Sequence, residues 1–349
     1  MKRAFISMVL VVSLACAGVA LSQAQQPAQQ QTPPPATQSQ QNPQQPSFVT
    51  GVDLVRLVFT VINRRNKFIT DLERGNFKVL ENNQQQDVVF FGRETDLPLR
   101  VGILLDTSNS IRDRLKFEQE AAIDFVHTVI RRKKDLAFLM TFDSDAGVLE
   151  DYTDDVGKMS QVIQKQRAGG GTALFDAIHY ACKERLQSPP LPATGTDPSL
   201  RRILVVISDG DDTHSNRARS EAIEACQRAE AAIYAISTST DWLSVSGDTP
   251  KKIHKTPGDE ILNTLAEETG GRAFYPYRID DLAASFQDIS VELRSQYSLA
   301  YSPTNKANDG KFRRIKIEVL DRKGVEVRAR KGYFPSFGKN TAANSPTGN

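Results

Sequence analysis

Asp106, Ser108 and Ser110 stand at alternate positions in the segment DTSNS, and each ends in oxygen. Thr172 follows three consecutive glycines, Gly169, Gly170 and Gly171, and Asp209 closes the apolar run ILVVIS. Two carboxylates and three hydroxyls make an oxygen-only donor set, the kind a hard divalent cation such as Mg2+ prefers, with water completing the shell. Mn2+ and Ca2+ are alternatives, because the choice among them rests on the size and rigidity of the site. The glycines let backbone approach an ion closely. Each residue also has an ordinary reading. Ser108 or Ser110 can cap a helix starting near Ile111, Thr172 can be a helix N-cap, and Asp209 can be the turn residue of Asp-Gly. Asp211 and Asp212 read as a solvated loop, with metal tuning or a second ion as the alternative.

The elements that must position these residues follow from the hydrophobic pattern. Residues 101–105, VGILL, form a continuous apolar run, as a strand buried on both faces requires. Further such runs lie at 135–142 and 202–207, with weaker strand patterns at 148–149, 231–236 and 272–275. Helical patterns separate them at 111–131, 154–166, 173–186, 220–230, 259–268 and 280–293. The alternation predicts an α/β fold, a doubly wound, mostly parallel sheet covered by helices on both faces. In such a sheet the three oxygen-bearing loops can share the carboxyl edge, where open α/β sheets place ligands.

Strand-like segments flank this core on both sides. Those at 52–62, 77–81 and 86–91 precede it, with Asn82-Asn83 as a turn. Those at 296–301, 313–320 and 325–330 follow, and the segment Asp321 to Gly324 predicts a hairpin turn between the last two. The two flanks are expected to pair into one small β-domain. The organisation is therefore a signal peptide at 1–24, a Gln/Pro-rich disordered linker at 25–47, an N-terminal β segment at 48–97, the α/β domain at 98–295, a C-terminal β segment at 296–334 and a disordered tail at 335–349.

Lys2 and Arg3 precede a mostly apolar stretch, and Ser22-Gln23-Ala24 offers a small-x-small cleavage site, so the chain is read as exported, periplasmic or secreted. Lipidation at Cys16 and an uncleaved anchor are alternatives that the residues fit less well: Ser13 stands where a lipobox has Leu, and polar residues interrupt the apolar run. No later segment is apolar enough to span a membrane in the mature protein. The formal net charge of +2 over 349 residues implies no nucleic-acid partner. The one basic cluster, RRKK at 131–134, sits where a helix ends, and complements its dipole. Cys182 and Cys226 both fall in helical patterns. Export permits a disulfide, but sequence gives no Cα separation, and two buried thiols are expected.

DTSNS, GGGTAL and VVISDG resemble the three parts of the metal-ion-dependent adhesion site (MIDAS) of von Willebrand factor type A (VWFA) domains. Asp106, Ser108 and Ser110 match that family's first motif, Thr172 its threonine, and Asp209 its later aspartate. The resemblance covers roughly residues 99–295. The flanks are similar to those of a group of exported bacterial proteins carrying this domain. The resemblance implies a Rossmann-like fold and a bound divalent cation whose last coordination position accepts an Asp or Glu carboxylate from a protein partner. The expected function is thus metal-ion-dependent protein binding of the adhesion type, and not an enzyme. The alternatives are a structural envelope scaffold without a metal-dependent ligand, or a metal-assisted hydrolase. The hydrolase reading needs a general base beside the metal-bound water. Among His127, His179, His214 and His254 only His214 lies near the proposed edge, and it reads as a surface loop residue. The sequence carries no zinc-type histidine pair, nucleophile elbow or Walker loop.

Overall fold

In a computed structural model, residues 54–94, 96–191, 200–239, 256–276 and 279–335 are described. The proposed signal peptide, linker and most of the tail lie outside them. Strand β5 (Leu99–Asp106) is buried along its whole length, as its unbroken apolar run demands. On one side it pairs in parallel with β6 (Leu136–Phe142), and on the other with β8 (Arg201–Ser208). Beyond β8 lie β9 (Ala231–Ser237) and β10 (Arg272–Phe274), also parallel. The far edge is β7 (Ala146–Thr153), antiparallel to β6 and much longer than the two residues expected there. The sheet order is thus β10-β9-β8-β5-β6-β7.

Helices cover both faces. Val101, Ile103 and Leu105 of β5 pack in one cluster with side chains of α1 (Leu115–Val129), α2 (Val156–Gln164) and α6 (Ile279–Leu293). Leu104, Phe138 and Leu204 face the other way, toward α3 (Leu174–Tyr180), α4 (Arg219–Arg228) and α5 (Pro257–Thr269). This is the expected doubly wound α/β sheet. The basic run after α1 forms an ionic corner: Arg131 Nε donates to Asp135 Oδ2 at 2.8 Å, and Asp135 Oδ1 accepts from Leu99 N at 2.9 Å. The start of β5 is fixed there.

The flanking strands form two four-stranded sheets. One has the order β13-β1-β11-β4, built from β1 (Val55–Asn63), β4 (Val88–Glu94), β11 (Gln296–Tyr301) and β13 (Val325–Ala329). The other has the order β14-β12-β2-β3, built from β2 (Phe77–Glu81), β3 (Gln84–Gln86), β12 (Arg313–Val319) and β14 (Gly332–Tyr333). Both flanks therefore enter one β-domain, and Phe59, Phe77 and Tyr297 from different strands share its core. Asn82 and Asn83 turn the β2–β3 hairpin with φ of 48° and 69°, the left-handed pair that Asn tolerates.

Two expectations need correction. The segment Asp321 to Gly324 is not a hairpin turn: β12 pairs with β2 and β13 with β1, so the chain changes sheet there. The reason is burial. Ile315 and Ile317 of β12 enter the sandwich core from one sheet, while β13 extends the other beside β1. Second, Cys182 and Cys226 are not free thiols. They form a disulfide with a Cα–Cα distance of 4.9 Å. Cys182 lies in the wider helical turn Ala181–Leu186 that continues α3, and Cys226 in α4, so the bond joins two helices packed side by side.

Candidate metal centre

The parallel register sets the site. Leu105 of β5 stands beside Ile207 of β8, so the strands finish together and Asp106 ends next to Ser208. Asp106 is fully buried. Its Oδ1 accepts from Ser108 N at 2.8 Å, and its Oδ2 accepts from the Ser208 hydroxyl at 2.7 Å. Ser208 Oγ in turn accepts from Gly210 N at 3.0 Å, which ties Asp106 to the turn that carries Asp209. Gly210 has φ 84°, and a Cβ there would lie 2.2 Å from Gly258 O, so the turn admits only glycine. Asp209 is buried as well, and its Oδ1 accepts from Asp211 N at 3.2 Å.

Ser108 and Ser110 place their hydroxyl oxygens 2.9 Å apart. Neither caps a helix: the N-cap of α1 is Arg114, and Ser108, which precedes a short 3-10 turn, makes no side-chain cap bond. Thr172 is not an N-cap either, because α3 is preceded by Ala173. The ordinary capping readings of these three hydroxyls therefore fail. The turn reading of Asp209 is realised through its contact with Asp211 N.

Backbone hydrogen bonds stitch the three loops together. Gly169 N donates to Thr107 O at 2.8 Å, and Asn109 N donates to Gly170 O at 3.1 Å. Thr172 O accepts from Thr213 N and His214 N, both at 2.9 Å, while Thr172 N donates to Thr213 Oγ1 at 3.1 Å. His214 lies over Gly171, where an added Cβ would come within 2.1 Å of its Nδ1. Asp212 is partly buried instead of solvated. Its Oδ2 accepts from Phe175 N at 2.9 Å, so it caps the start of α3 from a distance.

Burial pushes the Asp106 carboxyl up to about 6, and the charge of Asp209 adds to the rise. A third acid stands close by. Glu118, on α1, is fully buried, and burial followed by the charge of Asp106 holds it well above the ordinary range. Its Oε1 accepts from Thr238 Oγ1 at 2.7 Å, and its Oε2 has no hydrogen-bond partner. Arg114 is the cation that acts on Glu118, and its Nη1 donates to Thr238 O at 2.5 Å. Ser208, Glu118 and Thr238 escape the motif reading. Ser208 directly precedes Asp209. Glu118 falls on the apolar face of α1, three residues after Leu115 and four before Ala122, where an acid is out of place.

Among the described residues, no group of three or more His, Cys, Asp and Glu side chains is placed to hold a metal. A cation here would depend on hydroxyls beside the carboxylates. The donor chemistry fits a hard divalent ion: buried acids face neutral oxygens, and one carboxylate oxygen behind them is orphaned.

The von Willebrand factor type A domain family matches residues 101–211. Three solved structures are similar in part. The conserved hypothetical protein BatB from Bacteroides thetaiotaomicron is 16% identical, with a TM-score of 0.41 over 56% of this chain and 98% of its own. A von Willebrand factor type A protein from Catenulispora acidiphila is 12% identical, with a TM-score of 0.42 over 80% and 73%. Proximal thread matrix protein 1 from the mussel byssus, solved with a zinc-occupied MIDAS motif, is 15% identical, with a TM-score of 0.42 over 61% and 50%. No curated protein sequence matches the chain. The chain contains a von Willebrand factor type A domain, set against a β-sandwich assembled from its two flanks. Among the described residues no helix is long and apolar enough to cross a membrane.

Proposed function

We propose that this chain is an exported, metal-ion-dependent protein-binding module, placed in the periplasm or secreted. Asp106, Ser108, Ser110, Thr172 and Asp209 hold the ion, Mg2+ or alternatively Mn2+ or Ca2+. When bound, the ion supplies a positive centre with a position open to an outside carboxylate. The chain's residues do the rest. Ser108 N and Ser208 Oγ aim the two oxygens of Asp106, and Thr213 fixes the backbone of Thr172. The three hydroxyls donate oxygen without cancelling charge, so attraction for an Asp or Glu of the partner remains. One observation carries the reading: Asp106 is fully buried beside Asp209 and Glu118, and the groups that meet it are neutral donors and acids. A divalent ion removes that electrostatic cost.

The test is a pull-down from the native envelope with the full chain, in Mg2+ and again in EDTA, with Asp106→Ala and Asp209→Ala alongside. The reading expects a protein captured by the intact chain only with metal, and by neither variant. Capture that is indifferent to EDTA and to both substitutions would refute metal-dependent binding and favour a scaffold.

A further inference from the structure

Charge is unevenly spread along the chain. The sandwich segments 54–94 and 296–335 hold 17 Lys and Arg against nine Asp and Glu, although the whole chain nets only +2. Part of this excess gathers at one end of the sandwich. β1 and β13 are antiparallel with Asn63 opposite Val325, so the turn that leaves β1 lies beside the segment 321–324 that enters β13. Asn63 Oδ1 accepts from Arg65 N at 2.8 Å and from Lys67 N at 3.1 Å, which holds the first turn tight. Arg64 rests against the second, where a Cβ on Gly324 would come within 2.9 Å of its Nε. Arg64, Arg65, Lys67, Arg322 and Lys323 are all exposed. Asp71 clamps Arg322 through two contacts of 2.8 Å, and among the described residues the other four cations form no ion pair. Of the acids nearby, Glu326 pairs with Arg328, which leaves Asp321 and Glu73 against four cations. Leu320 stands in the same segment with its backbone N bound to Asn76 O, and it is 40% exposed.

We propose that this end of the sandwich docks on the surface of an anionic phospholipid bilayer. The cations are carried on two adjoining turns, so they reach one plane together. Lipid phosphates supply the charge that the four lack, and each cation near such a surface adds to the attraction. The exposed leucine selects the bilayer over a soluble polyanion: it gains nothing from a polyanion in water, but at a membrane it enters the boundary between headgroups and acyl chains. The docking uses none of the residues proposed to hold the metal, so it proceeds without the ion.

The probe is a vesicle of phosphatidylcholine with phosphatidylglycerol mixed in, set against one of phosphatidylcholine alone. The processed protein, purified from the envelope, is sedimented with each in EDTA. The result expected is partition onto the anionic vesicles that weakens as salt rises, and little onto the neutral ones. Arg64→Glu/Arg65→Glu/Lys323→Glu should weaken it about a hundredfold. Leu320→Ser should weaken it about tenfold through the lost apolar contact. Lys165→Glu/Arg167→Glu/Arg219→Glu changes the net charge equally on exposed residues of the α/β domain, and should leave the partition within about twofold of the wild type. All these side chains are exposed, and a melting curve of each variant checks that it folds. Equal partition onto neutral vesicles, partition unchanged by the sandwich triple variant, or equal loss in the two triple variants would overturn the proposal.

Discussion

The hydroxyl of Ser208 lies 2.7 Å from Asp106 Oδ2 and joins the ends of two neighbouring parallel strands. The same oxygen accepts from Gly210 N, so one serine holds both the first acidic residue and the turn of the second. Ser208→Ala should cost about 1–3 kcal/mol, because it strips a buried carboxylate of a donor and leaves Gly210 N unmatched. Urea unfolding of the metal-stripped protein measures this. A change below about 0.5 kcal/mol would mean that the serine does not support the site.

The buried Asp106 carboxyl makes a pH prediction. Its value in the folded protein, about 6, lies above the ordinary 3.8. Between those values the folded protein holds a proton that the unfolded chain has released. The contribution to stability is therefore full below about pH 4 and is lost as pH rises through 6. Relative to Asp106→Asn, the metal-stripped wild type should lose on the order of 2–3 kcal/mol between pH 4 and 7. A difference that stays flat, or grows in the other direction, would contradict the burial of a lone charge there.

Glu118 is expected to behave as a neutral acid in the metal-free protein. Glu118→Gln keeps its shape and the acceptor for Thr238 Oγ1, so stability at pH 7 should equal or exceed that of the wild type. Glu118→Ala empties the pocket and orphans Thr238, and should cost about 2–3 kcal/mol. Denaturant curves of the two variants decide: equal damage from both would show that the carboxyl is bound as an anion.

The disulfide between Cys182 and Cys226 ties α3 to α4, and these helices follow the Thr172 loop and the Asp209 loop. For a sequence separation of 44 the bond should contribute up to about 4 kcal/mol through the unfolded chain. The Cys182→Ala/Cys226→Ala variant should unfold at lower denaturant by about 2–4 kcal/mol. Wild-type stability in the variant would place the thiols apart in solution.

Much of the central domain is legible in the sequence because its signals are local. The apolar run of β5 announces a strand buried on both faces, and Asp106, Ser108 and Ser110 follow it in one loop. Thr172 and Asp209 also lie at loops that the strand–helix alternation brings to one edge. What stayed hidden depends on partners far away in the chain. The sheet change between β12 and β13 is decided by β2 and β1, more than 200 residues distant, and turn residues alone look the same in either case. The disulfide is decided by how α3 packs on α4. Glu118 belongs to none of the three motifs, and although an acid is out of place on the apolar face of α1, its closeness to Asp106 emerges only once α1 is laid across the sheet. Asp212 looked like a solvated loop residue because the amides it caps belong to a helix 37 residues earlier.

The most direct test of the central claim is a calorimetric titration of the intact, metal-stripped chain with Mn2+. The account predicts one saturable site, lost in Asp106→Ala and in Asp209→Ala while both variants remain folded. No saturable heat in the intact chain, or the same isotherm in the intact chain and both variants, would contradict it.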